Sequence, residues 1–156
     1  MLAGDEARAL RHNYVGTEHF LVALLCEKEC LAARVLGSFG ITLEEVRAQV
    51  IRVVGEGTEP TPAQIPYTKH AVKVTNLAQE EARSLENEFI GTEHLLLGLV
   101  GERESRAVGI LGEFEASADK IREEVTRAIG GPGPRKTNEG FPPSFDSTVL
   151  RHHLEF

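Results

Sequence analysis

The sequence contains two copies of one segment, and this duplication constrains the fold more than any other feature. Residues 6–55 align without a gap on residues 81–130, at a constant offset of 75 residues. The two segments are identical at 20 of 50 positions, and the tetrapeptide Gly-Thr-Glu-His occurs at 16–19 and again at 91–94. A duplication without insertions predicts two like halves that pack on each other around a pseudo-two-fold axis.

Each copy has the apolar periodicity of helices, with residues of the first copy recurring every three to four positions. These residues are Phe20, Leu21, Leu24, Leu25, Ala32, Val35, Leu36, Phe39, Leu43, Val46, Val50 and Val54. Thr17 and Thr42 are candidate helix N-caps, and Gly40 stands where a helix end needs a positive φ. We therefore predict an all-α fold, with Phe39 and its counterpart Phe114 buried at equivalent points.

Changes in composition mark the limits of the repeats. Residues 55–66 hold three prolines and two glycines, which indicates a linker. The predicted domain, residues 1–131, therefore consists of repeat one (2–55), the linker (56–66) and repeat two (67–130). The remaining residues, 132–156, hold four of the seven prolines and no clear helical period, so we predict a flexible tail.

A long helix is predicted to begin at Tyr67-Thr68, ahead of the second Gly-Thr-Glu-His. The apolar residues on one face of this helix are Ala71, Val74, Leu77, Ala78, Ala82 and Leu85. Because the chain begins near Leu2, which aligns with Leu77, about nine residues of this helix have no counterpart in the first copy. The two repeats are therefore expected to differ in their first helix.

Charge and composition exclude several classes of protein. The formal net charge of −7 argues against non-specific binding to nucleic acid, which requires a basic surface. No apolar run approaches the roughly 18 residues of a membrane span, so we expect no membrane partner. The two cysteines, Cys26 and Cys30, are too few for a disulfide framework, which favours a reducing, cytoplasmic location.

No segment has the pattern of a catalytic, nucleotide or metal site. The sequence Gly-Pro-Gly-Pro-Arg-Lys-Thr at 131–137 has Arg135 in place of the last glycine of a phosphate loop, and its prolines lack amide donors. His19 and His94 lie at the starts of helices, and we expect both to be hydrogen-bonded structural residues. Cys26 and Cys30 lack further thiolate or imidazole ligands, so we expect no metal and no cofactor.

Glu18 and Glu93, the acidic residues of the two tetrapeptides, are the candidate binding residues. A structural interpretation is available, since a carboxylate near a helix start interacts favourably with the helix dipole. The functional interpretation is recognition of a guanidinium, which a carboxylate can bind through two hydrogen bonds. Thr68 and the free amides of its helix start would suit an anion. Together such groups would fit a phosphorylated arginine.

Two copies of Gly-Thr-Glu-His, each followed by an apolar helix and Leu-Gly, with Tyr-Thr opening the second repeat, resemble a known family. The resemblance is to the N-terminal domain of Clp-type AAA+ unfoldases, above all its ClpC branch, and covers residues 2–131. It implies two four-helix repeats and a binding domain without enzymatic activity. The implied partners are adaptor proteins and substrate polypeptides, with the Clp ATPase or its peptidase as further candidates.

The resemblance also implies recognition of phosphoarginine. Carried over, it pairs Glu93 with Thr68 as the site of the second repeat and leaves Glu18 in the first, which lacks the threonine. His70 stands at a position that is usually basic in relatives, and a neutral imidazole binds phosphate less well. No ATPase module follows in this sequence, so we expect either a docking domain or a stand-alone regulator that competes for adaptors or substrates.

Overall fold

The computed structural model describes residues 2–58, 61, 64–87 and 90–129, and in these ranges the chain forms eight α-helices. They are α1 (Leu2–Ala9), α2 (Thr17–Cys26), α3 (Leu31–Ser38), α4 (Leu43–Val54), α5 (Lys69–Ser84), α6 (Thr92–Gly101), α7 (Arg106–Glu113) and α8 (Ala118–Ile129). The described ranges hold no strand beyond an isolated parallel bridge between Val15 and Tyr67. The all-α prediction is confirmed, whereas the predicted tail, 132–156, lies outside the described residues.

Helices α1–α4 form repeat one and α5–α8 form repeat two, and the contacts between the repeats are reciprocal. Helix α3 packs on α8 as α4 packs on α7, and α2 meets α6 between them. Thr17 Oγ1 accepts a hydrogen bond from the Ala107 amide at 3.1 Å, and Thr92 Oγ1 accepts one from the Ala32 amide at 3.4 Å. Equivalent residues thus exchange equivalent contacts, which is the behaviour of a two-fold arrangement.

The central helices α2 and α6 are buried on every side. All residues from Thr17 to Leu25 and from Thr92 to Val100 are buried, so the predicted single apolar stripe was too narrow. Phe39 and Phe114 are only partly buried, because each caps the C-terminus of its helix at the edge of the core. No helix in the described ranges is long and apolar enough to cross a membrane.

Each repeat carries the same ion pair between its first and fourth helices. Arg47 Nε lies 2.7 Å from Glu6 Oε1 in repeat one, and Arg122 Nη2 lies 2.7 Å from Glu81 Oε1 in repeat two. These pairs occupy aligned positions, so the duplication preserves polar contacts as well as apolar ones.

The predicted helix ends are confirmed at two positions and wrong at one. Thr42 Oγ1 accepts the Glu45 amide at the start of α4, as predicted. Gly40 adopts a φ of +77° after α3, a conformation that is cheap for glycine alone. The N-cap of α2 is Gly16 rather than Thr17, because the Thr17 hydroxyl is used between the repeats instead.

The first helices differ in length, as predicted. Helix α5 has 16 residues and α1 has 8. The additional turns of α5 approach α6 so closely that a Cβ on Gly98 would lie 2.6 Å from the Val74 carbonyl oxygen. The counterpart of Gly98 in repeat one is Ala23, which carries a Cβ.

Candidate functional site

A pocket with a volume of about 290 Å³ opens where the two repeats meet. Its lining combines the loop before α2 with the starts of α2, α5 and α7. The lining residues are Tyr14, Thr17, Glu18, Thr68, His70, Glu104 and Arg106. Three of the four predicted binding residues, namely Glu18, Thr68 and His70, therefore lie together.

The linker holds the start of α5 against repeat one. The Val15 amide donates to the Pro66 carbonyl at 2.8 Å, and the Thr68 amide donates to the Val15 carbonyl at 3.0 Å. Thr68 therefore lines a pocket with Glu18, whereas the sequence analysis paired Thr68 with Glu93. Thr68 precedes the second tetrapeptide along the chain, but the linker places it beside the first in space.

The carboxylate of Glu18 forms the floor of the pocket, and its side chain is only 2% exposed. The hydroxyl of Tyr14 donates to Glu18 Oε2 at 2.8 Å, and Nη1 of Arg106 donates to the same oxygen at 3.0 Å. Arg106 Nη1 also lies 3.2 Å from the Tyr14 hydroxyl oxygen. Arg106 is the first residue of α7, so this cluster joins the two repeats.

These contacts fix the charges of the cluster. Burial by itself raises the pKa of Glu18, but hydrogen bonds from the backbone at the start of α2 and from Arg106 outweigh it, so the pKa lies below its usual value. The hydrogen bond to Glu18 raises the pKa of Arg106. Burial, followed by the charge of Glu18, raises the pKa of Tyr14 above its ordinary range. At neutral pH the pocket holds a carboxylate, a guanidinium and a protonated phenol.

Glu93 occupies the equivalent position in α6 and is equally buried, with 1% exposure. Its surroundings differ in composition from those of Glu18. The counterpart of Arg106 is Leu31, and the counterpart of Tyr14 in the sequence is Phe89. Neither of these side chains offers a guanidinium or a hydroxyl, so the contacts that Tyr14 and Arg106 make with Glu18 cannot be repeated by the aligned residues of the other half.

His70 lies at the rim of the pocket and contacts a buried carboxylate. Its Nδ1 lies 3.0 Å from Glu102 Oε2, and Lys73 Nζ lies 3.6 Å from the same oxygen. The hydrogen bond from His70 is the main cause that lowers the pKa of Glu102. The imidazole is therefore engaged by Glu102, which limits what it can offer to a ligand.

His19 belongs to a chain of hydrogen bonds across repeat one, which confirms its predicted structural role. The Gly16 amide donates to His19 Nδ1 at 2.8 Å, His19 Nε2 lies 2.8 Å from His12 Nδ1, and His12 Nε2 lies 2.7 Å from the Gly55 carbonyl oxygen. Because an amide can only donate, His19 carries its proton on Nε2 and donates to His12, which in turn donates to Gly55. Both rings are neutral in this arrangement.

Repeat two contains a shorter version of this chain. The Gly91 amide donates to His94 Nδ1 at 2.8 Å, and His94 Nε2 donates to Asn87 Oδ1 at 2.7 Å. Asn87 aligns with His12, so an amide replaces the second imidazole. Burial lowers the pKa of both His19 and His94 to about 4. Neither histidine is suited to proton transfer at neutral pH.

The cysteines have local structural contacts. Cys30 Sγ accepts the Ala33 amide at 3.4 Å as the N-cap of α3, and Cys26 Sγ lies 3.9 Å from Arg47 Nη2. Among the residues that the structure describes, no group of three or more His, Cys, Asp or Glu side chains is arranged to hold a metal ion.

Comparison of the sequence with known proteins assigns the family. The family described as the Clp repeat (R) N-terminal domain matches residues 1–114 and 66–148. The chloroplastic chaperone protein ClpC of Pisum sativum is 45% identical over 130 residues, which cover 83% of this chain and 14% of that protein. The ClpA homolog of Guillardia theta, an ATP-binding subunit of Clp protease, is 44% identical over 130 residues, or 83% of this chain and 16% of that protein. The chain thus spans less than a fifth of the length of these relatives.

Solved structures show the same fold. The N-terminal domain of the chaperone ClpD from Arabidopsis thaliana superposes with a TM-score of 0.70 at 23% identity, over 83% of this chain and 88% of that one. The N-terminal domain of Hsp104 from Candida albicans superposes with a TM-score of 0.74 at 16% identity, over 90% of this chain and 92% of that one. The doubled helical repeat, the matched family and the identity to ClpC and ClpA homologues agree: this chain belongs to the Clp repeat N-terminal domain family.

Proposed function

We propose that this chain is a non-catalytic docking domain that receives substrate polypeptides or adaptor proteins for a Clp-type unfoldase. The family assignment supports this proposal, as does the pocket at the junction of the repeats, which is open to solvent and lined by charged groups. The neutral, buried histidines offer no acid–base pair for catalysis. The domain binds other chains and leaves the chemistry to the ATPase and peptidase.

Within this function, the pocket is proposed to recognise phosphoarginine. The observation that carries the proposal is that Glu18 and Thr68 line one pocket. Glu18 would accept the guanidinium of the ligand, because a buried, ionised carboxylate is the natural acceptor for that group. Thr68 is the N-cap of α5, and the first amides of a helix lack partners within it, so they would receive the phosphate.

The other two candidate residues have smaller proposed roles. His70 would contribute little to phosphate binding, because Glu102 already engages its ring. Glu93 is proposed as a second, weaker acceptor. Thr68 lines the pocket of Glu18 in repeat one. Repeat one thus supplies the more complete site, whereas the sequence analysis favoured the site of repeat two.

Calorimetric titration with phosphoarginine tests this proposal, with arginine and inorganic phosphate as control ligands. We expect saturable binding of phosphoarginine and a loss of about 10- to 100-fold in affinity for Glu18→Gln, since a charge-assisted contact is removed. Glu44→Gln, on the exposed surface of α4, is the matched control and should leave affinity unchanged. Absence of saturable binding, or equal affinity in Glu18→Gln, would contradict the proposal.

Capture of partners from a lysate separates docking from a regulatory role. Recovery of many unrelated polypeptides together with adaptors fits the docking domain. Recovery of the Clp ATPase or its peptidase instead would favour a stand-alone regulator that competes for adaptors or substrates.

A cytoplasmic location is also proposed, because both cysteines are free thiols, and cell fractionation tests it.

A further inference from the structure

The carboxylate of Glu18, the proposed acceptor for the guanidinium of the ligand, already binds a side chain of the same molecule. Glu18 Oε2 receives hydrogen bonds from Tyr14 and Arg106, at 2.8 and 3.0 Å. Glu18 Oε1 lies so close to Gly16 that a Cβ there would collide with it. A second guanidinium therefore cannot reach this carboxylate while Arg106 remains in place.

We propose that Arg106 is a specificity-determining residue, a resident guanidinium that an incoming arginine must displace from Glu18. This inference rests on the proposed function, because it takes Glu18 as the guanidinium acceptor. Displacement by plain arginine replaces one guanidinium by another and leaves Arg106 without its carboxylate. Displacement by phosphoarginine differs, because the released Arg106 can pair with the phosphate of the ligand. The exchange thus favours the phosphorylated form.

The two side chains of the ion pair differ in their exposure to solvent, and this difference makes the exchange feasible. The Glu18 side chain is 2% exposed and held by the start of α2, whereas the Arg106 side chain is 47% exposed. The backbone of α7 stays anchored beside it, since the Ala107 amide donates to Thr17 Oγ1 at 3.1 Å. The long Arg106 side chain can therefore swing out from a fixed position while the carboxylate remains in place.

Comparison of the two repeats indicates that Arg106 is not required for the fold. The aligned residue, at the start of α3, is Leu31. The start of α3 is hydrogen-bonded to Thr92 in the same way that the start of α7 is hydrogen-bonded to Thr17. The packing of the two repeats thus tolerates an uncharged side chain at this position. Arg106→Leu reproduces the residue of the other repeat, and so it is the natural test variant.

The test compares the wild type with Arg106→Leu, using N-acetyl arginine amide and its phosphorylated form as ligands. Binding is followed by calorimetry and by the chemical shifts of the amides at 16–18 and 68–70. Arg103→Leu is the matched control, because it removes the same charge from an exposed pair with Asp119 outside the pocket. For Arg106→Leu we expect arginine amide to bind about 10-fold more tightly, since its competitor is gone.

The decisive quantity is the ratio of the affinities for the phosphorylated and the plain ligand. We expect this ratio to fall by about 10-fold or more in Arg106→Leu and to be unchanged in Arg103→Leu. An unchanged ratio in a folded Arg106→Leu protein overturns the inference while leaving the proposed function intact. If the wild type ignores phosphoarginine but Arg106→Leu gains arginine binding, Arg106 is a resident competitor and the proposed function fails. Binding of neither ligand to either protein overturns both.

A second variant covers the possibility that leucine disturbs the start of α7. Arg106→Gln keeps a polar side chain that can reach Tyr14 but removes the charge, and it should shift the ratio in the same direction. If Arg106→Leu is unfolded by circular dichroism, the ratio measured for Arg106→Gln decides the question.

Discussion

The guanidinium of Arg106 lies 3.0 Å from the carboxylate of Glu18, and this contact joins the start of α7 in repeat two to the start of α2 in repeat one. The equivalent contact is not possible in the other half of the duplication, where Leu31 takes the place of Arg106. The pair between Arg106 and Glu18 thus has no counterpart between the aligned residues Leu31 and Glu93.

Neutralisation of Glu104, the other glutamate that lines the pocket, should strengthen binding of a phosphorylated ligand. Glu104 lines the same pocket as Thr68, and its charge repels a phosphate held at the start of α5. Glu104→Gln should therefore raise the affinity for phosphoarginine by about 2- to 5-fold at low salt, and by less at high salt because of screening. Calorimetry at two salt concentrations measures this. Glu29→Gln, the aligned residue of repeat one, should have no effect.

Truncation of the central helices should destabilise both repeats to a similar degree. Leu24 in α2 and Leu99 in α6 are aligned and fully buried. Leu24→Ala and Leu99→Ala should each lower the free energy of unfolding by about 2–5 kcal/mol, because each leaves a cavity in the core. Ile51→Ala, at a side chain that is 40% exposed, should cost less than about 1 kcal/mol. Equal losses in all three variants, measured by urea unfolding, would contradict the central position of α2 and α6.

Two glycines of repeat two should respond in opposite ways to substitution by alanine. Gly98→Ala places a methyl group 2.6 Å from the Val74 carbonyl oxygen and should cost about 1–3 kcal/mol. Gly109→Ala, in α7, meets no atom within 4 Å and should stabilise the protein by up to about 1 kcal/mol through helix propensity. Thermal unfolding of the two variants side by side checks this prediction. A neutral Gly98→Ala would mean that α5 and α6 are further apart than described.

Acid should destabilise the domain through its two buried histidines. Burial lowers the pKa of His19 and His94 from the ordinary 6.5 to about 4. As the pH falls, these histidines are protonated in the unfolded chain before they are protonated in the folded protein. Their contribution to the free energy of unfolding is therefore fully present above pH about 6.5 and is lost as the pH falls towards about 4. The slope is at most about 1.4 kcal/mol per pH unit for each histidine. Urea unfolding between pH 7 and 4.5 measures the loss of stability. Ring resonances of His19 and His94 that titrate near pH 6.5 would contradict the prediction.

The partner of His19 can be tested by a variant that imitates repeat two. His12→Asn introduces the residue found at the aligned position 87, which keeps an acceptor for His19 Nε2. His12→Leu removes that acceptor and leaves a buried donor unpaired, which should cost about 1–3 kcal/mol more than His12→Asn. Equal stability of the two variants would show that the hydrogen bond between the rings contributes little.

The helices were predictable from the sequence because local patterns determine them. The duplicated spacing, the caps at Thr42 and Thr68, and the positive φ at Gly40 all follow from residues close together in the chain. The doubled tetrapeptide also located the helix starts that carry Glu18 and Glu93. What depended on residues close together in the chain could therefore be read from the sequence.

The arrangement of the site could not be predicted in the same way, because it depends on contacts distant in the chain. Thr68 reaches Glu18 through the bridge to Val15, and no periodicity reports such a contact. Arg106 was missed although the sequence held a signal: a charged residue aligned with Leu31 in a duplicated apolar pattern. His12 was missed because its role depends on His19 and Gly55, which lie on separate elements.

The most direct test of the account is an NMR titration of isotope-labelled protein with phosphoarginine, observed residue by residue. We predict saturable shifts of the amides at 16–18, 68–70 and 106, which surround the pocket, and their loss in Glu18→Gln. Shifts confined to 92–94 at the start of α6, or the absence of any saturable shift, would contradict the claim that the Glu18 pocket is the binding site.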